Sequence, residues 1–241
     1  GTVLSFVLFL LVMPRWAALR WSEPRPWEAL GIRGAKPQEQ PAPAAALLKG
    51  LLIAAGLLMV ITSVVLIDGS GNWRGEVDAT QLTNAVLLCL GVGFAEELIF
   101  RSWLWTELQE MIGSRRAAWA QAGIFSLVHT RFNLGLGAMG GLLIGLFLLG
   151  MVLARQRQSD RGSLWGCIGL HGGLVAGWFL LQNGLLQLSP NAPPWLVGPG
   201  GHSPNPLGGL IGILSLLILL LIQRTAVANA LRPSTGARRA S

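Results

Sequence analysis

The chain alternates long apolar runs with short polar breaks. The runs cover residues 1–13, 50–67, 82–105, 117–130, 134–154, 163–187 and 207–222. Several reach the roughly 20 residues that a helix needs to cross about 30 Å of hydrocarbon. The run at 117–130 is short and must borrow flanking residues. The first is short as well, and is read as a helix that begins upstream or as the core of a processed leader. The pattern predicts an all-α, polytopic transmembrane bundle of six to eight helices. Residues 1–49 would hold the first segment and a connector, 50–223 the membrane core, and 224–241 a basic, disordered tail.

Composition agrees with a membrane setting. The chain is 52% hydrophobic and 12% charged, with mean hydropathy +0.55, about half the charge of a typical soluble domain. A net charge of +7 invites a nucleic-acid partner, but the placement of the charge argues otherwise. All 18 Lys and Arg except Arg74, Arg101 and Arg131 fall in 14–49, in the turns around 115–116 and 155–161, or from Arg224 onward. These are alternate connections, and cytoplasmic loops carry the Lys/Arg excess. The basic connections and the C-terminus are therefore expected in the cytoplasm, with membrane lipid as partner and no nucleic acid. The stretches "DGSGNWRGEVDATQ" and "LSPNAPPWLVGPGGHSPNP" then become outer loops, and His202 a solvated loop histidine. Residues 14–49, rich in proline and tryptophan, are expected to lie along the cytoplasmic interface. Cys89 and Cys167 fall inside helices, where they read as small buried hydrophobes.

Two glycine stripes, Gly137/Gly141/Gly145 and Gly169/Gly173/Gly177, carry small residues every fourth position, the spacing that lets helix backbones approach closely. His171 lies about 200° from Gly169 around its helix, so it faces a different neighbour or a cavity.

Five ionisable side chains interrupt the apolar runs: Glu96, Glu97 and Arg101 in "AEELIFR", then His129 and His171. Charge at membrane depth is expensive and by default marks a functional site. Counted from the nearest polar boundary residue, Glu96 lies about 16 Å deep, His129 about 20 Å and His171 about 12 Å at 1.5 Å per residue, one layer within boundary error. Glu97 and Arg101 are four residues apart on one helix face, in the favourable order for an ion pair. Glu96 points about 100° away and is free to face the histidines as a general base. Two histidines, a carboxylate and water also match a catalytic zinc site in ligand type, although no HExxH is present. Zinc on His129 and His171 and a metal-free route through Glu96 both remain open.

At these residues the sequence resembles the CPBP family, the CAAX protease and bacteriocin-processing (Abi) group of intramembrane endopeptidases. EExxxR appears as Glu96-Glu97-Leu98-Ile99-Phe100-Arg101, FxxxH as Phe125 to His129, and the third motif as "LHGGLVAGWF" around His171. The resemblance implies an all-α membrane core with a cavity open to the cytoplasm, in which peptide or membrane-protein substrates are hydrolysed near the cytoplasmic face. It implies Glu96 as the base, His129 as a holder or activator of water, and His171 as an oxyanion stabiliser or metal ligand. Glu97 and Arg101 would organise the site. Two positions depart from the pattern. Val175 stands where the third motif often has asparagine, and Gln182 on the same face is about three turns from His171; Ser102 stands where glycine often follows the arginine. The leading reading is an intramembrane endopeptidase. A catalytically silent scaffold or immunity-type binding protein is the alternative, and an ion or proton carrier a distant third.

Overall fold

The computed structural model describes residues 2–33, 40–201 and 203–230. Its helices are α1 (Thr2–Arg20), the short α2 (Pro26–Ala29), α3 (Pro43–Ile67), α4 (Ala79–Glu97), α5 (Trp105–Ile112), α6 (Ser114–His129), α7 (Leu136–Ser159), α8 (Trp165–Leu180), the short α9 (Pro194–Val197) and α10 (Leu210–Ala230). A π-helical stretch, Leu98–Leu104, joins α4 to α5, and another, Leu181–Leu185, extends α8. Pro43–Ile67, the continuous Ala79–Ile112 and Leu136–Ser159 are each long and apolar enough to cross a membrane, and Leu210–Arg224 is a shorter apolar helix. The all-α bundle expected from the apolar runs is what the chain forms.

Helix α8 is the axis of the bundle, packed between α3 and α4. Glycine permits it. A Cβ on Gly169 would lie 2.2 Å from the Leu47 carbonyl oxygen, one on Gly173 2.8 Å from Ala54 Cβ, and one on Gly177 2.4 Å from Leu58 Cδ1. The predicted stripe on this helix is thus a helix contact, and the ascending partners 47, 54 and 58 make α3 and α8 parallel. On another face Gly172 meets the Cys89 carbonyl oxygen at 2.2 Å, and Gly93 meets Gly172 Cα at 2.9 Å. This places α4 antiparallel to α8.

The other stripe departs from expectation. Gly141 and Gly145 receive no long helix; they admit the carbonyls of Gly208 and Leu207 in the single 3₁₀ turn Pro206–Gly208, so the loop after α9 folds back between α7 and α10. Gly137 faces open space.

These directions give the bundle two distinct ends. One gathers the starts of α3, α6 and α8 and the ends of α1, α5 and α7, with the basic connections. The other carries a small antiparallel pair, β1 (Gly71–Trp73) with β2 (Leu186–Leu188), in the register Gly71↔Leu188 and Trp73↔Leu186. The apolar pattern predicts plain loop at 68–81 and from Leu188 onward, with Leu186 and Gln187 at the end of a helix. Neither short strand alternates clearly enough to be read without its partner. Exposed tryptophans mark both ends, Trp16 and Trp119 at the basic end and Trp73 and Trp195 at the hairpin end, as in interfacial aromatic belts.

The connector is more docked than expected. Leu164 N–H donates to the Gly31 carbonyl at 2.9 Å, Trp165 Nε1–H to the Ile32 carbonyl at 2.9 Å, and Ser102 Oγ–H to the Leu30 carbonyl at 2.9 Å. Ser102 in the glycine position is thus the π-helical stretch's handle on the connector. At the other terminus α10 runs to Ala230; residues 231–241 of the expected tail, and His202, lie outside the described residues.

Gly172→Ala should force α4 and α8 apart, an overpacking cost of about 1–3 kcal/mol, read as a lower thermal midpoint of the detergent-solubilised protein. Gly91→Ala on the same α4, with open space around its Cβ, should leave the midpoint unchanged or raised.

Candidate active site

Helix α4 begins at a capping box. Asp78 accepts from Gln81 N–H at 2.7 Å, and Gln81 Oε1 accepts from Asp78 N–H at 2.9 Å. Gln81 Nε2–H also donates to the Asn183 carbonyl at 2.6 Å, fixing the start of α4 against the end of α8. Near its end come Glu96 and Glu97, directly before the π-helical stretch that holds Arg101. π-bulges concentrate at functional sites because they re-aim side chains and release backbone acceptors. Here the Arg101 carbonyl is taken by Arg157 of α7, and the Ser102 carbonyl by Thr106 Oγ–H at 2.8 Å.

All five predicted residues come together. Glu97 and Arg101 are both fully buried, with Arg101 Nη1 3.0 Å from Glu97 Oε1. The same Oε1 lies 2.7 Å from His171 Nδ1. The pair was expected to be self-contained, but one oxygen of Glu97 bridges guanidinium and imidazole. Glu96 faces the histidines as expected, with Oε2 2.9 Å from His129 Nε2 and 3.7 Å from His171 Nε2. The closer contact is not aligned as a full hydrogen bond, so Oε2 keeps acceptor capacity.

Both histidine tautomers follow from their neighbours. His129 Nδ1 sits 2.8 Å from the Phe125 carbonyl, which only accepts, so Nδ1 carries a proton. His171 Nδ1 meets a carboxylate oxygen and is protonated for the same reason. Both Nε2 atoms are therefore turned toward Glu96. A bare Nε2 facing a bare carboxylate oxygen at 2.9 Å would be repulsive, so one proton belongs to the Glu96–His129 contact.

Phe125, the first residue of "FSLVH", holds the cluster from below. Its ring lies 4.1 Å from the Arg101 guanidinium carbon, 4.3 Å from the His129 ring and 5.6 Å, edge-on, from the His171 ring. Arg101 Nε and Nη2 have no hydrogen-bond partner among the described residues, and the aromatic face supplies a cation–π contact instead.

A cavity of about 360 Å³ opens from the cluster. Glu96, Phe125, His129, His171 and Val175 line its inner part, and Gln182, Arg131, Ser203 and Asn205 its outer part. Sequence reasoning singled out Val175 but missed the loop residues, because the fold-back through 198–201 and 203–209 has no local signal beyond its glycines and prolines. Gln182, three turns along α8, reaches the same cavity at its mouth. The cavity runs beside α8 from His171 to Gln182, about 16 Å at helical rise, toward the hairpin end. At the basic end the connector packs Leu30 and Gly31 onto residues 162–165, with Leu30, Leu164 and Ile168 fully buried.

The donors fit zinc in type but not in placement. Among the described residues no group of three His, Cys, Asp or Glu side chains is arranged to hold a metal ion. Glu96 Oε2 and His129 Nε2 are in direct contact, which leaves no space for an ion between them. Cys89 and Cys167 are free thiols; Cys167 is buried and donates to the Leu153 carbonyl at 3.2 Å, as a small core residue does.

Arg101→Gln should strand the Glu97 carboxylate without a counter-charge. The expected cost is about 3–5 kcal/mol, measured as a collapse of the thermal midpoint or loss of folded material. Arg101→Lys, which keeps the charge but loses the flat face on Phe125, should lose less.

The family model described as Rce1-like, type II CAAX prenyl endopeptidase, matches residues 78–177, the segment that carries all five clustered residues. No curated protein and no solved structure matches the chain. The chain is thus an integral membrane protein whose residues 78–177 are similar to the Rce1-like type II CAAX prenyl endopeptidases.

Proposed function

We propose that the protein is an intramembrane endopeptidase in which Glu96 activates water and the two histidines assist, without a metal in the reaction path. The observation that carries this reading is the pairing of both Nε2 atoms with one carboxylate oxygen that retains acceptor capacity, at the base of a cavity large enough for a short peptide. A water hydrogen-bonded to Glu96 Oε2 gives up a proton to that carboxylate as its oxygen attacks the scissile carbonyl carbon. The developing oxyanion is met by N–H at Nε2 of His129 or His171, where the proton of the Glu96–His129 contact and the buried charge of Glu97 supply the imidazolium. Glu96 then returns its proton to the leaving amine as the C–N bond breaks. Glu97 keeps the His171 ring in register and Arg101 keeps Glu97 ionised in place.

The basic connections and the C-terminus are assigned to the cytoplasm, since they concentrate the Lys and Arg at one end of the bundle. Substrates are peptides or membrane-protein segments, and surrounding lipid is the other partner. Val175 supports a second reading, a silent binding protein that keeps the fold, because an apolar side chain lines the cavity one turn beyond His171 where a donor would help an oxyanion.

Purified protein in proteoliposomes, offered a quenched-fluorescence peptide library, should cleave with wild-type Glu96. Glu96→Gln should lose on the order of 10²–10⁴ in rate, the usual worth of a general base. Undiminished cleavage by Glu96→Gln would remove Glu96 from the mechanism, and absence of cleavage at matched folding would favour the binding protein. Metal analysis of active protein should find no stoichiometric ion, and EDTA should leave the rate unchanged; a bound metal whose removal stops cleavage would replace the metal-free route.

A further inference from the structure

We infer that Asn205 is a substrate-binding residue of the catalytic cavity, its side-chain amide donating a hydrogen bond to a backbone carbonyl of the bound peptide. This rests on the endopeptidase reading above and deepens it, by naming a group that holds the substrate rather than one that reacts with it.

An account of the hydrogen bonds of Asn205 carries the inference. Its backbone N–H donates to the Pro199 carbonyl at 2.9 Å, and its own carbonyl accepts from Gly208 N–H at 3.1 Å. Its side-chain Oδ1 accepts from Leu207 N–H at 3.1 Å. That last bond also fixes which way the amide is turned, because only the oxygen end can accept from an N–H. Nδ2, with its two N–H donors, is then the one polar group of the residue that has no partner among the described residues. Nor is it sealed in protein, since the buried and unpaired side-chain atoms among the described residues belong elsewhere. Asn205 lines the same cavity as Glu96, His129 and His171, so a free donor stands in the wall of the space where the bond is cut.

The donor is also held still. Pro206 follows it, and a proline confines the residue before it to extended backbone; Asn205 has φ −103° and ψ 108°. Trp178 Nε1–H donates to the Pro204 carbonyl at 2.8 Å and Arg131 Nη1–H to the Ser203 carbonyl at 2.9 Å, which tie the segment to α8 and to the chain just past α6. A group immobilised before the ligand arrives loses little further freedom on binding. Much of the remaining wall, including Leu146, Leu149, Leu174 and Val175, is apolar, and a peptide carbonyl taken from water into such a place needs a donor. An uncharged amide meets that need without drawing the Glu96 carboxylate away from its histidines.

Asn205→Asp tests this, because it keeps the oxygen that accepts from Leu207 N–H and removes the donor. Asn205→Ser, whose hydroxyl can also accept at the start of a helical turn, removes the amide without adding charge. The probe is a fluorescein-labelled, end-capped peptide selected from the library for binding to the wild-type protein. In a Glu96→Gln background, where turnover is suppressed, fluorescence anisotropy should show each variant raising the Kd of that peptide by about three- to tenfold, the worth of one neutral hydrogen bond. With Glu96 present, KM should rise by the same factor while kcat stays within about twofold, as for a group that binds ground state and transition state alike. Unchanged Kd and KM in both variants would overturn the inference whether or not the thermal midpoint falls, and so would a loss confined to kcat, which would put Asn205 in the chemistry instead. If the wild-type protein binds the peptide without cleaving it, the endopeptidase reading fails while a raised Kd still makes Asn205 a binding residue; cleavage indifferent to both variants leaves the enzyme and refutes only this role.

Discussion

The bundle is organised around one oxygen atom, Glu97 Oε1, which accepts from Arg101 at 3.0 Å and from His171 at 2.7 Å inside a fully buried setting. A carboxylate at this depth is tolerable only when its charge is answered. Both partners meet Oε1, while Oε2 has no hydrogen-bond partner among the described residues, and this one shared oxygen fixes the distance between α4 and α8, the π-helical turn that carries Arg101, and the ring plane of His171. Phe125 adds the last surface, a flat aromatic face under a guanidinium whose remaining nitrogens have no acceptor among the described residues. The two motif carboxylates thus differ by position rather than type: Glu97 is enclosed, while Glu96 reaches the cavity with its side chain about a quarter exposed.

That geometry needs backbones in contact. Glycines at 93, 169 and 172 bring the main chains of α8, α4 and α3 into contact, and those at 173 and 177 make room for the Ala54 and Leu58 side chains; the short reach of a glutamate to a histidine on the next helix depends on that closeness. Behind α4, Arg157 and Thr106 take the carbonyls that the π-helical turn leaves free, and Ser102 ties the turn to the connector. The connector is therefore part of the site's support: it closes the basic end directly behind the residues that face the cavity.

The basic end also holds a second buried polar group that serves packing. Asp160 accepts from Lys49 Nζ at 3.0 Å and from Gln156 at 2.7 Å, and Gln223 of α10 donates to Gln156 at 3.3 Å. It joins α3, α7 and α10 where those helices meet the connector, and it pairs every charge it buries. Both Asp160 oxygens are paired, whereas Glu96 Oε2 faces a cavity with no hydrogen-bond partner among the described residues, which is why charge alone does not make a catalytic site.

By itself the sequence determined the helical membrane class, the ends that collect positive charge, and the five residues that gather at one depth. Hydropathy, charge placement and helical spacing are local properties, and each is written in consecutive residues. Only the tertiary structure decided that Glu97 is shared with His171, that Phe125 backs Arg101, that the Gly141/Gly145 stripe admits a loop rather than a helix, and that the cavity leads away from the basic end. Those outcomes depend on which faces of distant segments meet. The fold-back of 203–209 and the docking of Leu30 onto Ser102, 72 residues away in the chain, follow from packing that no window of sequence contains.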